Sequence, residues 1–263
     1  MPISLANGLD HHYRLEGDPA LPSFVLLHPV GADQSIWDRV VPLLLHRFHV
    51  LRYDFRGHGR SQLSEGEGSI RTLTADLLAL VDALGIKRFV AVGVSLGGLV
   101  ALSAALQAPA RVRGVVTCST SPALAAPPGG WDARIQAVLE GGMEPMAGPM
   151  TQRMFSAAFQ QSQDPTVGAM RTVFERMDPR GYAASLAVLR DVDLTPLLDQ
   201  VDVPVLVISG ALDALVPPAI GGAMTDKLPR AKHAVLPGGH FPPLENPASF
   251  STALLEFAAA LPP

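Results

Sequence analysis

The stretch of this chain best suited to covalent chemistry is Gly93-Val94-Ser95-Leu96-Gly97. A serine that attacks a carbonyl must stand clear of its surroundings, on a strand-to-helix turn so tight that the positions two residues to either side tolerate almost no side chain. The apolar run Phe89 to Val92 leads into Ser95, and a helix-like run, Gly98 to Gln107, follows it. A helix starting behind Ser95 would aim its free N–H groups at developing negative charge. A serine hydroxyl is a weak nucleophile at neutral pH and needs a base, normally a histidine oriented by a carboxylate. Two downstream segments supply these groups. Val205-Leu206-Val207-Ile208-Ser209-Gly210 reads as a strand running into Ala211-Leu212-Asp213, and Ala234-Val235-Leu236 reads as a strand running into Pro237-Gly238-Gly239-His240. Ser95, His240 and Asp213 are therefore the expected nucleophile, base and acid.

A tetrahedral intermediate also needs two N–H donors aimed at its oxygen. Leu96, directly after the nucleophile, is expected to give one. The other should come from the loop after the strand Phe24 to Leu27, where His28-Pro29-Val30-Gly31 stands. Pro29 has no N–H, so the assignment falls on Val30. His28 is expected to brace this loop. Asp54, at the end of Leu51-Arg52-Tyr53-Asp54, competes with Asp213 for the acid; it is assigned a structural role because Asp213 lies later in the sheet and closer to His240. His58 sits in the turn Arg56-Gly57-His58-Gly59. His11, His12, His46, His49 and His233 lack a glycine-rich loop and are expected at the surface or at strand edges. Cys118 is the only cysteine, can form no intrachain disulfide, and reads as a small buried thiol.

These residues need a scaffold, and the hydrophobic pattern provides one. Short apolar, β-branched runs recur at Phe24 to Leu27, His49 to Tyr53, Phe89 to Val92, Val112 to Thr117, Val205 to Ser209 and Ala234 to Leu236. Between several of them the apolar spacing is helical, as in Leu73, Leu77, Leu80, Val81 and Leu84, ending at Gly85. Such alternation predicts an α/β class fold, a mainly parallel sheet with helices on both faces. The alternation breaks between Pro122 and Leu186. A cluster of Pro122, Pro127, Pro128, Gly129 and Gly130 is followed by helix-like stretches at Trp131 to Glu140, Gly148 to Gln160 and Thr166 to Met177, with Met143, Met146, Met150 and Met154 among them. The pattern predicts a helical cap over residues 122–186, inserted above the carboxyl edge of a core made from 1–121 and 187–263. No repeat of fixed period is present.

Composition narrows the partners. The 263 residues are 48% apolar, with 20 Lys plus Arg against 24 Asp plus Glu and a formal charge of -4. That excludes a disordered, collagenous or disulfide-stapled chain and leaves room for one large core. A phosphate-backbone binder needs a positive face, so nucleic acid is not an expected partner. Met1 to Leu15 lacks the basic and continuous apolar regions of a secretory signal. Phe89 to Ala110 carries no charge and could span a membrane on length alone, but Gly93, Ser95, Gly97, Gly98 and Pro109 favour strand, turn and buried helix. A cytoplasmic location without a membrane partner is the expectation, and homo-oligomerisation stays open.

From the oxyanion-loop strand to His240 the sequence resembles an α/β-hydrolase, which shares the order Ser95, Asp213, His240. Within that superfamily it is similar to the 3-oxoadipate enol-lactonases. The matching stretches are Trp37-Asp38, His49 through Gly59, Gly93 through Gly98, Gly181-Tyr182-Ala183-Ala184 through Leu189-Arg190-Asp191, and Trp131 with Arg134. It departs from the lactonase pattern at Pro29, where relatives carry a smaller or polar residue, and at Met154, where tryptophan is expected. The resemblance implies hydrolysis of a small-molecule ester or lactone through an acyl-enzyme, without metal or cofactor. It also implies that Arg134 receives a substrate carboxylate and Trp131 forms an apolar wall. Other readings use the same machinery: a carboxylesterase or another lactonase, or a cofactor-free perhydrolase or haloperoxidase. Haloalkane dehalogenases and epoxide hydrolases place aspartate where Ser95 stands. A non-catalytic ligand-binding module on the same fold would be expected to have lost a member of the triad.

Overall fold

A computed structural model describes residues 2–262. Its centre is an eight-stranded sheet in the order β1-β2-β4-β3-β5-β6-β7-β8, with β1 Ile3–Ala6, β2 Leu9–Glu16, β3 Ser23–Leu27, β4 His49–Tyr53, β5 Phe89–Val94, β6 Val112–Cys118, β7 Val205–Gly210 and β8 Ala231–Leu236. β1 pairs β2, and β2 pairs β4, antiparallel; every other pairing is parallel. Parallel strands are joined by helical crossovers, and both faces of such a sheet are covered, so β4, β5 and β7 are buried at every position.

The crossover helices form for local reasons. α1, Ile70–Ala83, starts where the Ser69 hydroxyl accepts the N–H of Thr72 at 3.1 Å, and it buries Leu73, Leu77, Leu80 and Val81. Each of those side chains contributes roughly 1.5–3 kcal/mol on burial. α2, Leu96–Gln107, follows β5 after one residue and is buried all round, from Leu96 to Ala105. The charge-free stretch is thus a strand, a turn and a core helix. No helix among the described residues is long and apolar enough to cross a membrane.

Between β6 and β7 lie five α-helices, α3 Trp131–Gly141, α4 Glu144–Met154, α5 Ala157–Gln161, α6 Pro165–Glu175 and α7 Pro179–Asp191, and then a 3-10 turn, Thr195–Gln200. The two ends of this insertion meet. Ala123 and Asp193 form an antiparallel bridge, and the Leu194 N–H donates to the Pro122 carbonyl at 2.9 Å. α7 passes without interruption through Leu186, where the pattern placed the return to the core. The helix expected over Gly148 to Gln160 is two helices. Phe155 is extended, and the hydroxyl of Ser156 accepts the Phe159 N–H at 3.2 Å, capping α5 afresh. α8 Pro218–Thr225 joins β7 to β8, and after β8 come α9 Pro242–Glu245 and α10 Pro247–Ala259, the last buried along Phe250, Ser251 and Leu254.

The expected placement of the histidines needs correction. The N-terminal residues form a hairpin, β1 and β2, turned by Asn7 and Gly8 at φ of 48° and 76°. As a result His11 and His12 are buried, not surface or edge residues, because β2 is flanked by β1 and β4. His49 is buried as well, on a central strand.

Candidate active site

Ser95 occupies the single residue between β5 and α2, at φ 52° and ψ -114°. It is the only residue from Phe89 to Ala105 that is not buried. Its N–H donates to the Cys118 carbonyl at 2.8 Å, and its own carbonyl accepts the N–H of Gly98 at 2.9 Å. The flanking glycines are required by close approach. A Cβ on Gly93 would overlap the backbone of Gly97, and a Cβ on Gly97 would overlap the Leu27 carbonyl at the end of β3. The turn therefore holds the serine up while α2 packs tightly against two strands. Cys118, one strand over, is buried, and burial pushes its thiol up, so it stays protonated.

His240 and Asp213 meet beyond the ends of β7 and β8. The Asp213 carboxylate accepts the Leu215 and Val216 N–H groups at 2.8 and 3.0 Å on one oxygen, and its other oxygen lies 2.9 Å from His240 Nδ1. Burial pushes the Asp213 carboxyl up, but the histidine and the two N–H donors outweigh it and hold the group below the ordinary carboxylate value. An ionised acceptor requires the proton on Nδ1, which leaves the Nε2 lone pair to act as a base.

Asp54 is engaged elsewhere. It accepts the Gln34 N–H at 2.8 Å and the Arg60 N–H at 3.0 Å, and lies 2.7 Å from His12 Nδ1. His28 locks the neighbouring loop: its Nδ1 donates to the Pro29 carbonyl at 2.8 Å and its Nε2 accepts the Phe55 N–H at 2.9 Å. Burial lowers the pKa of His28, so the ring is neutral and can play both parts.

Ser95 and His240 line one cavity of about 200 Å³ together with Val30, Trp131, Arg134 and Tyr182. Leu96 is the first residue of α2, so its N–H has no carbonyl within the helix to bond. No acceptor among the described residues takes the Val30 N–H. The Arg134 guanidinium donates to Met150 Sδ at 2.9 Å and to Tyr182 Oη at 3.3 Å, and its buried Nε has no acceptor. Burial raises the pKa of the Tyr182 phenol, so it meets Arg134 as a neutral group. No carboxylate pairs with Arg134 among the described residues. No group of three or more His, Cys, Asp or Glu among them is placed to hold a metal ion. Chemically, the arrangement offers a raised hydroxyl, an oriented base, two candidate oxyanion donors and an uncompensated cation in one small apolar chamber.

Sequence reasoning did not assign two contributors. Arg153 also lines the cavity, beside the cap methionines Met150 and Met154. The carbonyl of Met154 accepts the His240 N–H at 2.8 Å, a contact that no side-chain pattern encodes.

Residues 22–247 match the family model described as alpha/beta hydrolase fold. The 3-oxoadipate enol-lactonase 2 of Acinetobacter baylyi is 29% identical over 243 residues, covering 92% of this chain and 91% of that protein. A pimeloyl-[acyl-carrier protein] methyl ester esterase of Pectobacterium atrosepticum is 31% identical over 254 residues, covering 90% and 94%. Among solved structures, the enol-lactonase from Burkholderia xenovorans LB400 superimposes with a TM-score of 0.95 at 32% identity, covering 98% of this chain and all of that one. With the match spanning most of its length, the chain belongs to the α/β-hydrolase fold family.

Proposed function

We propose that the protein is a serine hydrolase that opens a small carboxylate-bearing lactone, with 3-oxoadipate enol-lactone as the substrate and 3-oxoadipate as the product. The observation that carries this reading is the shared cavity: Ser95, His240 backed by Asp213, and the uncompensated Arg134 face one space of about 200 Å³. That volume suits a small molecule and lies below the ~300–1,000 Å³ common for drug-sized ligands. A half-buried guanidinium whose Nε is shut off from solvent without an acceptor, and which has no counter-charge, is unfavourable, and a substrate carboxylate would relieve it. Two of the similar proteins are themselves named enol-lactonases.

Ser95 Oγ attacks the lactone carbonyl carbon while His240 Nε2 takes its proton. The oxygen, now negative, lies between the N–H groups of Val30 and Leu96. The intermediate collapses by breaking the ring C–O bond, and the imidazolium returns its proton to the enolate oxygen as it leaves. The enol then tautomerises to the ketone. Water attacks the acyl-enzyme carbonyl with His240 again accepting a proton, and the second carboxylate is released with Ser95 restored.

The test compares freshly generated 3-oxoadipate enol-lactone with p-nitrophenyl acetate. A kcat/KM higher by orders of magnitude on the lactone is expected, and Ser95→Ala should lose about 10⁶-fold in kcat on both. Arg134→Met should raise KM for the lactone about 10- to 100-fold, the worth of one charged hydrogen bond, and leave the neutral ester unchanged. Turnover of the ester alone would keep the serine hydrolase and favour an esterase, the activity named for the relative from Pectobacterium.

A further inference from the structure

Glu245 lies outside the cavity, five residues past His240, and its carboxylate gathers three donors from two different parts of the molecule. The Gly239 N–H reaches one oxygen at 2.8 Å, and the Ser156 N–H reaches the same oxygen at 3.0 Å. The Ser156 hydroxyl donates to the other oxygen at 2.6 Å. Gly239 precedes the base, whereas Ser156 is the joint between α4 and α5. No cation pairs with Glu245 among the described residues, so the three hydrogen bonds are what compensate its charge. Hydrogen bonds to an ionised acceptor are stronger than neutral ones, and here they converge on a single group.

The same joint touches the base a second way, through the His240 N–H bound to the Met154 carbonyl. Contact is close enough that a Cβ on Gly239 would stand 2.8 Å from the Ser156 nitrogen and 3.0 Å from the Met154 oxygen. Phe155, between those two residues, packs edge-on against Phe241 with ring centroids 5.6 Å apart. The loop bearing His240 is therefore bolted to the inserted helices on one side, as it is bonded to Asp213 on the other.

We propose that Glu245 is a positioning residue for His240: by clamping Gly239 to Ser156 it makes the α4–α5 joint part of the mounting of the base. The inference rests on His240 acting as the base for Ser95. Its consequence is that the insertion does more than wall the pocket, because the rotational setting of the imidazole depends on it. A displacement of about 1 Å at a reacting group costs on the order of 10²-fold in rate.

The test measures kcat and KM for Glu245→Ala, Glu245→Gln and Ser156→Ala on p-nitrophenyl acetate, a substrate too small to depend on the helical walls, with thermal melting of each variant. Glu245→Ala should lose about 10²-fold in kcat with KM little changed. Glu245→Gln keeps an oxygen for the Gly239 and Ser156 N–H groups and should recover most of that loss, while Ser156→Ala should fall between the two. If Glu245→Ala does not fold, the other two variants decide: a wild-type kcat in both overturns the proposal. A raised KM at wild-type kcat overturns it also, since that would mark a residue that only shapes the pocket. Should Ser95→Ala remain active, the failure lies with the nucleophile; should Ser95→Ala be dead and Glu245→Ala be normal, the failure lies with the positioning role alone.

Discussion

Two aspartates in this molecule have nearly the same hydrogen-bond environment. Asp213 receives two backbone N–H groups and lies 2.9 Å from a histidine Nδ1, and Asp54 receives two backbone N–H groups and lies 2.7 Å from another. Both follow parallel strands, both are buried, and both are held below the ordinary carboxylate value, with burial opposing and the hydrogen bonds and nearby histidine prevailing. What differs is the far side of the imidazole. His240 opens onto the cavity with Ser95, whereas His12 Nε2 is buried with no partner. An Asp–His pair is thus a common device for fixing a ring, and access from its other nitrogen is what can turn it into a base.

Asparagine at each position separates the two. Asp213→Asn should cost about 10⁴-fold in kcat by presenting His240 in the wrong tautomer, with the melting temperature changing much less. Asp54→Asn should do the reverse, keeping kcat within the same order of magnitude and costing about 1–3 kcal/mol of stability, read from denaturant melts. If the losses exchange places, the acid of the site is Asp54.

Acid sharpens the contrast with a smaller effect. Around Asp54 lie histidines that burial keeps neutral: burial pushes His58 down to about 3, and it lowers His28 and His11 as well. Unfolded, each would take a proton below about pH 6.5, so the unfolded chain binds more protons and stability falls as pH drops through that value. The two aspartates act lower: with folded values depressed, their stabilisation is fully present above about pH 3.9 and is lost only as pH falls through the folded values. Melting should therefore already weaken between about pH 7 and pH 5, and His58→Gln should flatten that slope. An unchanged slope in the variant would assign the acid sensitivity to other groups.

How much of this was legible beforehand depended on whether the signal was local. Ser95, Asp213 and His240 each follow an apolar strand by one to four residues, so strand prediction alone set them at one edge of the sheet. The pairing of His12 with Asp54 joins residues 42 apart across neighbouring strands, and nothing in either segment announces it. The first hairpin does carry a signal, Asn7-Gly8, but Ile3 and Leu5 are exposed, so its apolar alternation points away from the core. In the insertion, Ser156 looks like one more polar residue in a helix. Its hydroxyl caps α5 and donates to Glu245, and both roles depend on the chain folding back upon itself.

The backbone of Ser95 has a thermodynamic consequence. A side-chain-bearing residue at φ 52°, ψ -114° is strained by about 1–3 kcal/mol, and the surrounding strands and helix hold it there. In the proposed mechanism the readiness of the nucleophile is thus stored as instability, and glycine, which has no hydroxyl to attack with, is the residue this position would tolerate best. Ser95→Gly should melt at a higher temperature than Ser95→Ala even after the greater flexibility of glycine in the unfolded chain is set against it. The difference between the two variants would then report the strain that the turn carries in the native molecule.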